Sequence, residues 1–343
     1  MKHLLNTLYI TTQDSYLSKD GECVAIHHKD SLKGKIPIHN LDSIVLFGQV
    51  TCSPYLLNHC AEHGVSISWL TQYGKFLATM HGPVSGNVLL RKAQYKKSDD
   101  AIASASIALS IVIGKISNCR TILLRASRNK ESEILKGAIK RLEDCLHRLK
   151  DNLSSAAVRV DTVRGIEGEA AQIYFGVFGQ LIQEQTGFSF SCRNRRPPKD
   201  PVNCLLSFLY TLLTHDVRSA LESCGLDPAV GFLHRDRPGR PSLALDLMEE
   251  LRPYLVDRLV CTLINRGQIK TSDFTIKETG GVYMDDDTRR VILTSWQERK
   301  QEIVEHPFLK EKVAVGVICH CQARLLARYI RGDLASYPPF VIR

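Results

Sequence analysis

Over the first 85 residues apolar and polar positions alternate in short runs broken by Gly, Asp and Lys, the period-two pattern of half-buried strands. TLYITT, SYLS, CVAIHH, SIVLFG, VSISWL and KFLATM are the predicted strands. Lys19-Asp20-Gly21 predicts a hairpin turn between the second and third, and Gln72-Tyr73-Gly74 a turn from WL into KFLATM. One helix interrupts them. Ser53 as N-cap, Pro54 as first helical residue and Gly64 just past the end bracket PYLLNHCAEH.

Beyond His81 to Gly86 the spacing of apolar residues lengthens to three and four, and helices are predicted over Ala101 to Ser117, Glu131 to Leu149 and Val160 to Gln185. The third carries a stripe through Val163, Ala170, Tyr174, Phe178 and Leu181, with Glu167 inside it. A carboxylate there lies either at the wet margin of the face or inward against a cation. Asp200-Pro201 opens a helix over VNCLLSFLYTLLTH, whose Asn203, Ser207 and Tyr210 are expected as hydrogen-bonded core residues. LVCTLINRG closes another at Gly267, and DFTIKETGGVYMDDDTRRVIL reads as strand, turn, strand. Asp285 to Asp287 lack the spacing of a calcium loop and are assigned to a solvated turn. A last helix is expected from Leu309 to Ile330, with an extended, mobile tail SYPPFVIR. The pattern predicts an α+β multidomain chain: a small β-rich N-terminal domain over residues 1–85, a basic hinge over 86–100, and a mainly α-helical domain over 101–343.

With 44% hydrophobic and 24% charged residues among 343, the chain has the composition of a soluble globular protein. The longest uncharged run, Ala101 to Gly114, is shorter than the roughly 18 residues that would suggest a membrane span, and MKHLLNT lacks the apolar core of a secretory signal. A cytoplasmic location and no membrane partner are expected. Forty-five Lys and Arg against 36 Asp and Glu give a formal charge of +9, which favours a polyanionic partner. The excess gathers in Arg91, Lys92, Lys96 and Lys97, in the proline-ended loop with Arg193, Arg195, Arg196 and Lys199, and in the stripe Arg324, Arg328 and Arg331. Each is either a solvated face or a phosphate contact. The eleven cysteines include no CxxC pair and form neither a disulfide framework nor a zinc knuckle.

The stretch HRDRPGRPSLALDLMEELRP, His234 to Pro253, sets an imidazole in a basic loop before an apolar helical run that contains Asp246, Glu249 and Glu250. Asp246 and Glu249 share a helix face that continues through Pro253, Val256 and Val260 towards the interior. Two inward carboxylates repel and lose hydration unless a cation or proton neutralises them. Glu167, His234 and a carboxylate from Asp246 or Glu249 would suit magnesium or manganese, with open positions for a phosphate oxygen. Spacing alone does not join them, since they lie on three segments.

IEGEAAQIYF (Ile166 to Phe175), RPPKDPVNCLLSFLYTLL (Arg196 to Leu213), GFLH (Gly231 to His234) and RPSLALDLMEELRP (Arg240 to Pro253), with VLLRKAQY (Val88 to Tyr95), resemble the CRISPR-associated adaptation endonucleases, integrases that insert new spacers into CRISPR arrays. The resemblance implies a β-rich domain used for homodimerisation and a helical catalytic domain. It implies Glu167, His234 and Glu249 as ligands of Mg2+ or Mn2+, Asp246 as an accessory acid, Arg252 as a DNA contact and Glu250 as a helix-surface residue. It further implies strand transfer from a 3′-hydroxyl of duplex DNA to a repeat-boundary phosphodiester, and a small ferredoxin-like CRISPR-associated partner bridging two dimers. The basic segments would then be the DNA track, a reading from charge alone. Rival readings are a non-catalytic nucleic-acid-binding scaffold and a metal hydrolase of small phosphoesters; the wide spread of basic segments argues against the second.

Overall fold

The computed structural model describes residues 7–74, 76–80, 82, 88–128, 131–153, 159–195, 197–278 and 280–342. The chain divides into two compact units. The first takes Met1–Ser85, Met284–Glu302 and Ala314–Val317; the second takes Gly86–Tyr283, Ile303–Val313 and Ile318–Arg343.

In the first unit β1 (Thr7–Ile10), β5 (Ser43–Phe47), β7 (Ser66–Leu70) and β8 (Phe76–Met80) form one four-stranded sheet in that order. β1, β5 and β7 are parallel, and β8 returns antiparallel. A second sheet has the order β4 (Ser31–Pro37), β3 (Cys23–His28), β2 (Ser15–Asp20) and β6 (Val50–Cys52). The predicted hairpin is present: Asp20 pairs with Cys23, and Gly21 takes φ +59° in the turn. β4 and β6 were not expected; the first is mostly exposed and the second is three residues long, so neither carries a run of apolar residues. Helix α1 (Pro54–Glu62) starts and stops as predicted, with Ser53 Oγ accepting the Leu56 N–H at 3.1 Å and Gly64 at φ +68°. Leu17, Val24, Ile44, Leu46, Leu56 and Ile67 from both sheets and α1 make one core.

The second unit is helical. It comprises α2 (Val88–Asp99), α3 (Ala101–Ser127), α4 (Glu133–Leu153), α5 (Val160–Val177), α6 (Pro201–Ser223), α7 (Ser242–Glu249) and α8 (Arg258–Asn265), followed by the two-stranded ribbon β9 (Phe274–Ile276) and β10 (Val282–Met284). The described part of the expected hinge, residues 88–99, is helix α2 of this unit. α3 packs against α4, α5 and α7 and lies at the centre. It is long and apolar enough to cross a membrane, yet two-thirds of that apolar window is buried among its neighbours, which marks a core helix. Between α7 and α8, Pro253–Asp257 form one π-helical turn. Pro253 has no N–H for the Glu249 carbonyl, and at the end of the turn the Arg258 N–H reaches back five residues to Pro253 O.

Where a second strand and solvated turn were expected over DDDTRRVIL, the chain forms α9 (Asp286–Gln301), capped by Asp285 Oδ1 accepting the Thr288 N–H at 2.7 Å. α9 clusters with the strand-rich unit, not with the helical domain to which residues 101–343 were assigned. Its Gln297 donates to Thr7 O at 2.9 Å, a return across 290 residues that no local pattern encodes. The ribbon β11 (Ile303–Glu305) and β12 (Lys312–Ala314) follows, and the last helix, α10 (Ile318–Arg331), starts nine residues later than expected.

Candidate active site

The loop before α7 is built on one carboxylate. Asp246 is fully buried and accepts the backbone N–H groups of Phe232 (2.6 Å), Leu233 (2.9 Å) and His234 (2.9 Å). It also faces His234 Nδ1 at 2.6 Å. A carboxylate has about four acceptor positions, and two donors on each oxygen occupy them all. An ionised carboxylate only accepts, so Nδ1 carries the proton and Nε2 is the basic nitrogen that the ring presents. Gly231 is needed for the approach: a Cβ there would lie 2.7 Å from Asp246 Oδ2. Gln94 of α2 supports the loop by donating to Asp227 O and Val230 O, each at 2.8 Å.

Less than one turn along α7 from Asp246, at Glu249, lies a cationic pocket. Lys115, on the buried face of α3, ion-pairs with Glu167 of α5 and, at 2.6 Å, with Glu249. Arg252 holds the other Glu249 oxygen at 2.6 Å, and its guanidinium lies 4.9 Å from the Tyr210 ring centroid. Burial alone would raise the Glu249 carboxyl, but Arg252 and Lys115 more than offset it and hold it at about 2. Burial likewise opposes the Lys115 charge, and Glu249 and then Glu167 outweigh it, so the ammonium is raised above its usual range. Behind Arg252, Tyr210 donates to Asp257 at 2.5 Å; burial lifts Asp257 to about 6 against that bond.

Glu250 is not the surface residue that was expected. It is fully buried beside Glu249, and its Oε1 accepts Tyr337 Oη at 2.6 Å and Gln322 Nε2 at 2.7 Å. Burial, against both bonds, pushes its carboxyl up to about 8. His306 accepts the Phe308 and Leu309 N–H groups on Nδ1 and so donates from Nε2 to Gln322 Oε1 at 3.0 Å, which aims the Gln322 amide at Glu250. The tail is docked here and not free. Tyr337, Phe340 and Ile342 are buried, Asn118 of α3 donates to Glu250 O and Phe340 O and accepts from the Ile342 N–H, and a Cβ at Gly114 would lie 2.8 Å from Pro339.

The basic residues divide. Arg195, Lys199, Lys92, Lys96, Arg324 and Arg328 are exposed, and Arg91 is half-buried. Lys97 of α2 lies 4.9 Å from the Tyr329 ring of α10, so the two basic helices are neighbours. Arg193, expected to be free, is turned inward onto Asn203 (2.6 Å) and Ser207 (3.1 Å) and braces its loop against α6. Arg196 lies outside the described residues. Three residues at the site went unassigned in the sequence. Lys115 was signalled as the one charge ending the long apolar run. Arg164, which donates to Leu233 O at 2.5 Å, and Arg240 close around the His234 loop. Burial first, then Arg237, Arg195 and Arg164, lowers the Arg240 guanidinium, which shows how closely these cations gather.

Glu167 and Glu249 thus meet on the Lys115 ammonium, and Asp246, on the same helix as Glu249, orients the His234 imidazole, all within a helical unit that follows a strand-rich one. The family described as CRISPR associated protein Cas1 matches residues 8–298, and the chain belongs to that family. The CRISPR-associated endonuclease Cas1 1 of Chlorobaculum tepidum is 58% identical over 348 residues, covering 100% of both chains. Among solved structures, a chain of a Cas6-RT-Cas1–Cas2 complex matches with TM-score 0.82 and 26% identity over 99% of this chain and 36% of that longer one. A casposase bound to integration product shares the fold, with TM-score 0.83 and 23% identity over 99% and 95% of the two chains.

Proposed function

We propose that this chain is a metal-dependent DNA endonuclease and integrase that joins the 3′-hydroxyl of a short duplex to a phosphodiester at the edge of a CRISPR repeat. The observation that carries the reading is the meeting of Glu167 and Glu249 on a single buried cation beside an imidazole oriented by Asp246. The donor set fits a divalent ion: an ammonium already sits between the two carboxylates, and His234 Nε2 is left basic. Mg2+ or Mn2+ held by Glu167, His234 and Glu249 would polarise the phosphodiester and stabilise the negative charge that builds on its oxygens.

The chain's own residues do the rest. Asp246, with every acceptor position filled, positions the His234 ring and is not itself a ligand. Lys115 balances the charge of the two carboxylates, a role that Mg2+ or Mn2+ would share. Arg252 keeps Glu249 ionised. Arg164, Arg240, Arg195 and the exposed cations of α2 and α10 hold the DNA backbone by charge. The attacking 3′-oxygen forms its bond to phosphorus as the repeat strand's own P–O3′ bond breaks; with water as nucleophile the same site cleaves. The wider assembly consists of a cytoplasmic homodimer and a small ferredoxin-like CRISPR-associated partner. Names of relatives support an enzyme of DNA that works with a protein partner: an endonuclease, a Cas6-RT-Cas1–Cas2 complex, and a casposase bound to integration product.

An integration assay tests the reading. Labelled duplex with 3′-hydroxyl ends is mixed with repeat-containing DNA, the small partner, and Mg2+ or Mn2+, with and without EDTA. Joined product that disappears with EDTA and in Glu167→Ala is expected; salt-sensitive DNA binding with no joined product would favour a scaffold instead.

A further inference from the structure

A second cluster of ligating side chains lies in the strand-rich unit. His59 near the end of α1 and His63 just past it stand one turn apart, with ring centroids 4.4 Å apart, and Glu22 reaches them from the turn between β2 and β3. Glu22 Oε2 is 3.6 Å from His59 Nε2 and 3.8 Å from His63 Nε2. These separations exceed a hydrogen bond and are close to the roughly 3.4 Å between two ligands of one tetrahedral ion with bonds near 2.1 Å. Among the described residues this is the group of three His, Cys, Asp or Glu whose ligand atoms lie within 4.8 Å of one another.

Two further observations point to a ligand. His59 is 2% exposed, and its Nε2, sealed from solvent and aimed at Glu22, makes no hydrogen bond. His63 Nδ1 lies 2.9 Å from His59 O, and a carbonyl only accepts, so Nδ1 donates there and Nε2 is the ring nitrogen turned towards Glu22. Burial, then Lys19 and His63, lowers the His59 imidazole and keeps it neutral, the form that binds a metal.

We propose that Glu22, His59 and His63 bind a zinc-class transition-metal ion that pins the β2–β3 hairpin to α1. Two imidazole nitrogens and one carboxylate oxygen leave a fourth tetrahedral position for water and disfavour magnesium or calcium, which take oxygen ligands. Glu22, at the surface, gives the ion its way in. The site is distinct from the Glu167, His234 and Glu249 centre and does not depend on it.

Cobalt(II) is the probe, on the full chain carrying Glu167→Gln and His234→Ala so that the other centre is silent. One equivalent of Co2+ should give the visible absorption of a tetrahedral ion, displaced by Zn2+, and Zn2+ should raise the melting temperature. His63→Ala and, separately, the surface change Glu22→Gln should each weaken binding by more than the roughly 10–100-fold that loss of an outer-shell partner costs. Strand transfer by His63→Ala in an otherwise unaltered chain should be unchanged. Absence of the cobalt band in the silenced chain, or a band of undiminished affinity in both ligand variants, overturns the proposal.

Discussion

Glu249 and Glu250 are neighbours in sequence, both buried, and their carboxyls lie at opposite ends of the range, at about 2 and about 8. Glu249 turns into a pocket of fixed cations, Lys115 and Arg252, whereas Glu250 turns into a neutral cradle of Gln322 and Tyr337 closed by the docked tail. Burial acts on both in the same direction, and the surrounding charge decides the outcome. The cationic pocket keeps a carboxylate ionised where a metal can use it. The neutral cradle holds a protonated acid that fastens the end of α7 to α10 and the tail.

The broadest test separates the two by activity. Glu249→Gln should reduce strand transfer about a thousandfold, and Glu250→Gln, which keeps the hydrogen bonds of a neutral acid, should stay within about threefold. Equal losses in the joining assay would erase the distinction. Lys115→Met tests the cationic side next. With two carboxylates left facing each other, urea unfolding without metal should show a loss of about 3–5 kcal/mol, and Mn2+ should recover more of it than in the unaltered chain.

Titration gives a smaller effect of opposite sign on the two sides. Glu250 binds its proton more tightly when folded than at the ordinary 4.5, so its contribution is greatest below pH 4.5 and is lost as pH rises to about 8. Glu249, depressed to about 2, contributes fully above pH 4.5 and loses that contribution as pH falls towards 2. Melting temperature against pH should therefore decline between about 5 and 8, and Glu250→Gln should flatten the decline, a difference of a few kcal/mol at most (on the order of 1.4 per pH unit). The smallest change is expected for Tyr337→Phe, about 1 kcal/mol in urea unfolding, with the Glu250 step moved to higher pH because a bond to its ionised form is gone.

What was legible in the sequence rests on local signals. Ser53, Pro54 and Gly64 bracket α1 within twelve residues, and Asp246, Glu249, Pro253, Val256 and Val260, read as facing inward, are all five buried. What escaped depends on partners distant in sequence. Glu250 follows the surface side of an amphipathic pattern, but Gln322 and Tyr337, 72 and 87 residues on, close over it. Arg193 has the look of a loop cation, and only the fold brings Asn203 and Ser207 of α6 beneath it. Lys115 was visible as an isolated charge in an apolar helix, yet nothing within α3 says that two carboxylates from α5 and α7 meet there.

The π turn at Pro253–Asp257 acts as a rotary offset. In an unbroken α-helix eight residues advance the side chain by about 80° beyond whole turns, which would swing Asp257 away from the direction of Glu249. Absorbing one extra residue takes back about 100°, so Asp257 lies within roughly 20° of Glu249 and meets Tyr210 on the side where Arg252 stacks. Removing a single residue between 253 and 257 would rotate everything beyond it, turning Asp257, Val256 and Val260 out of register together while leaving Glu249 where it stands.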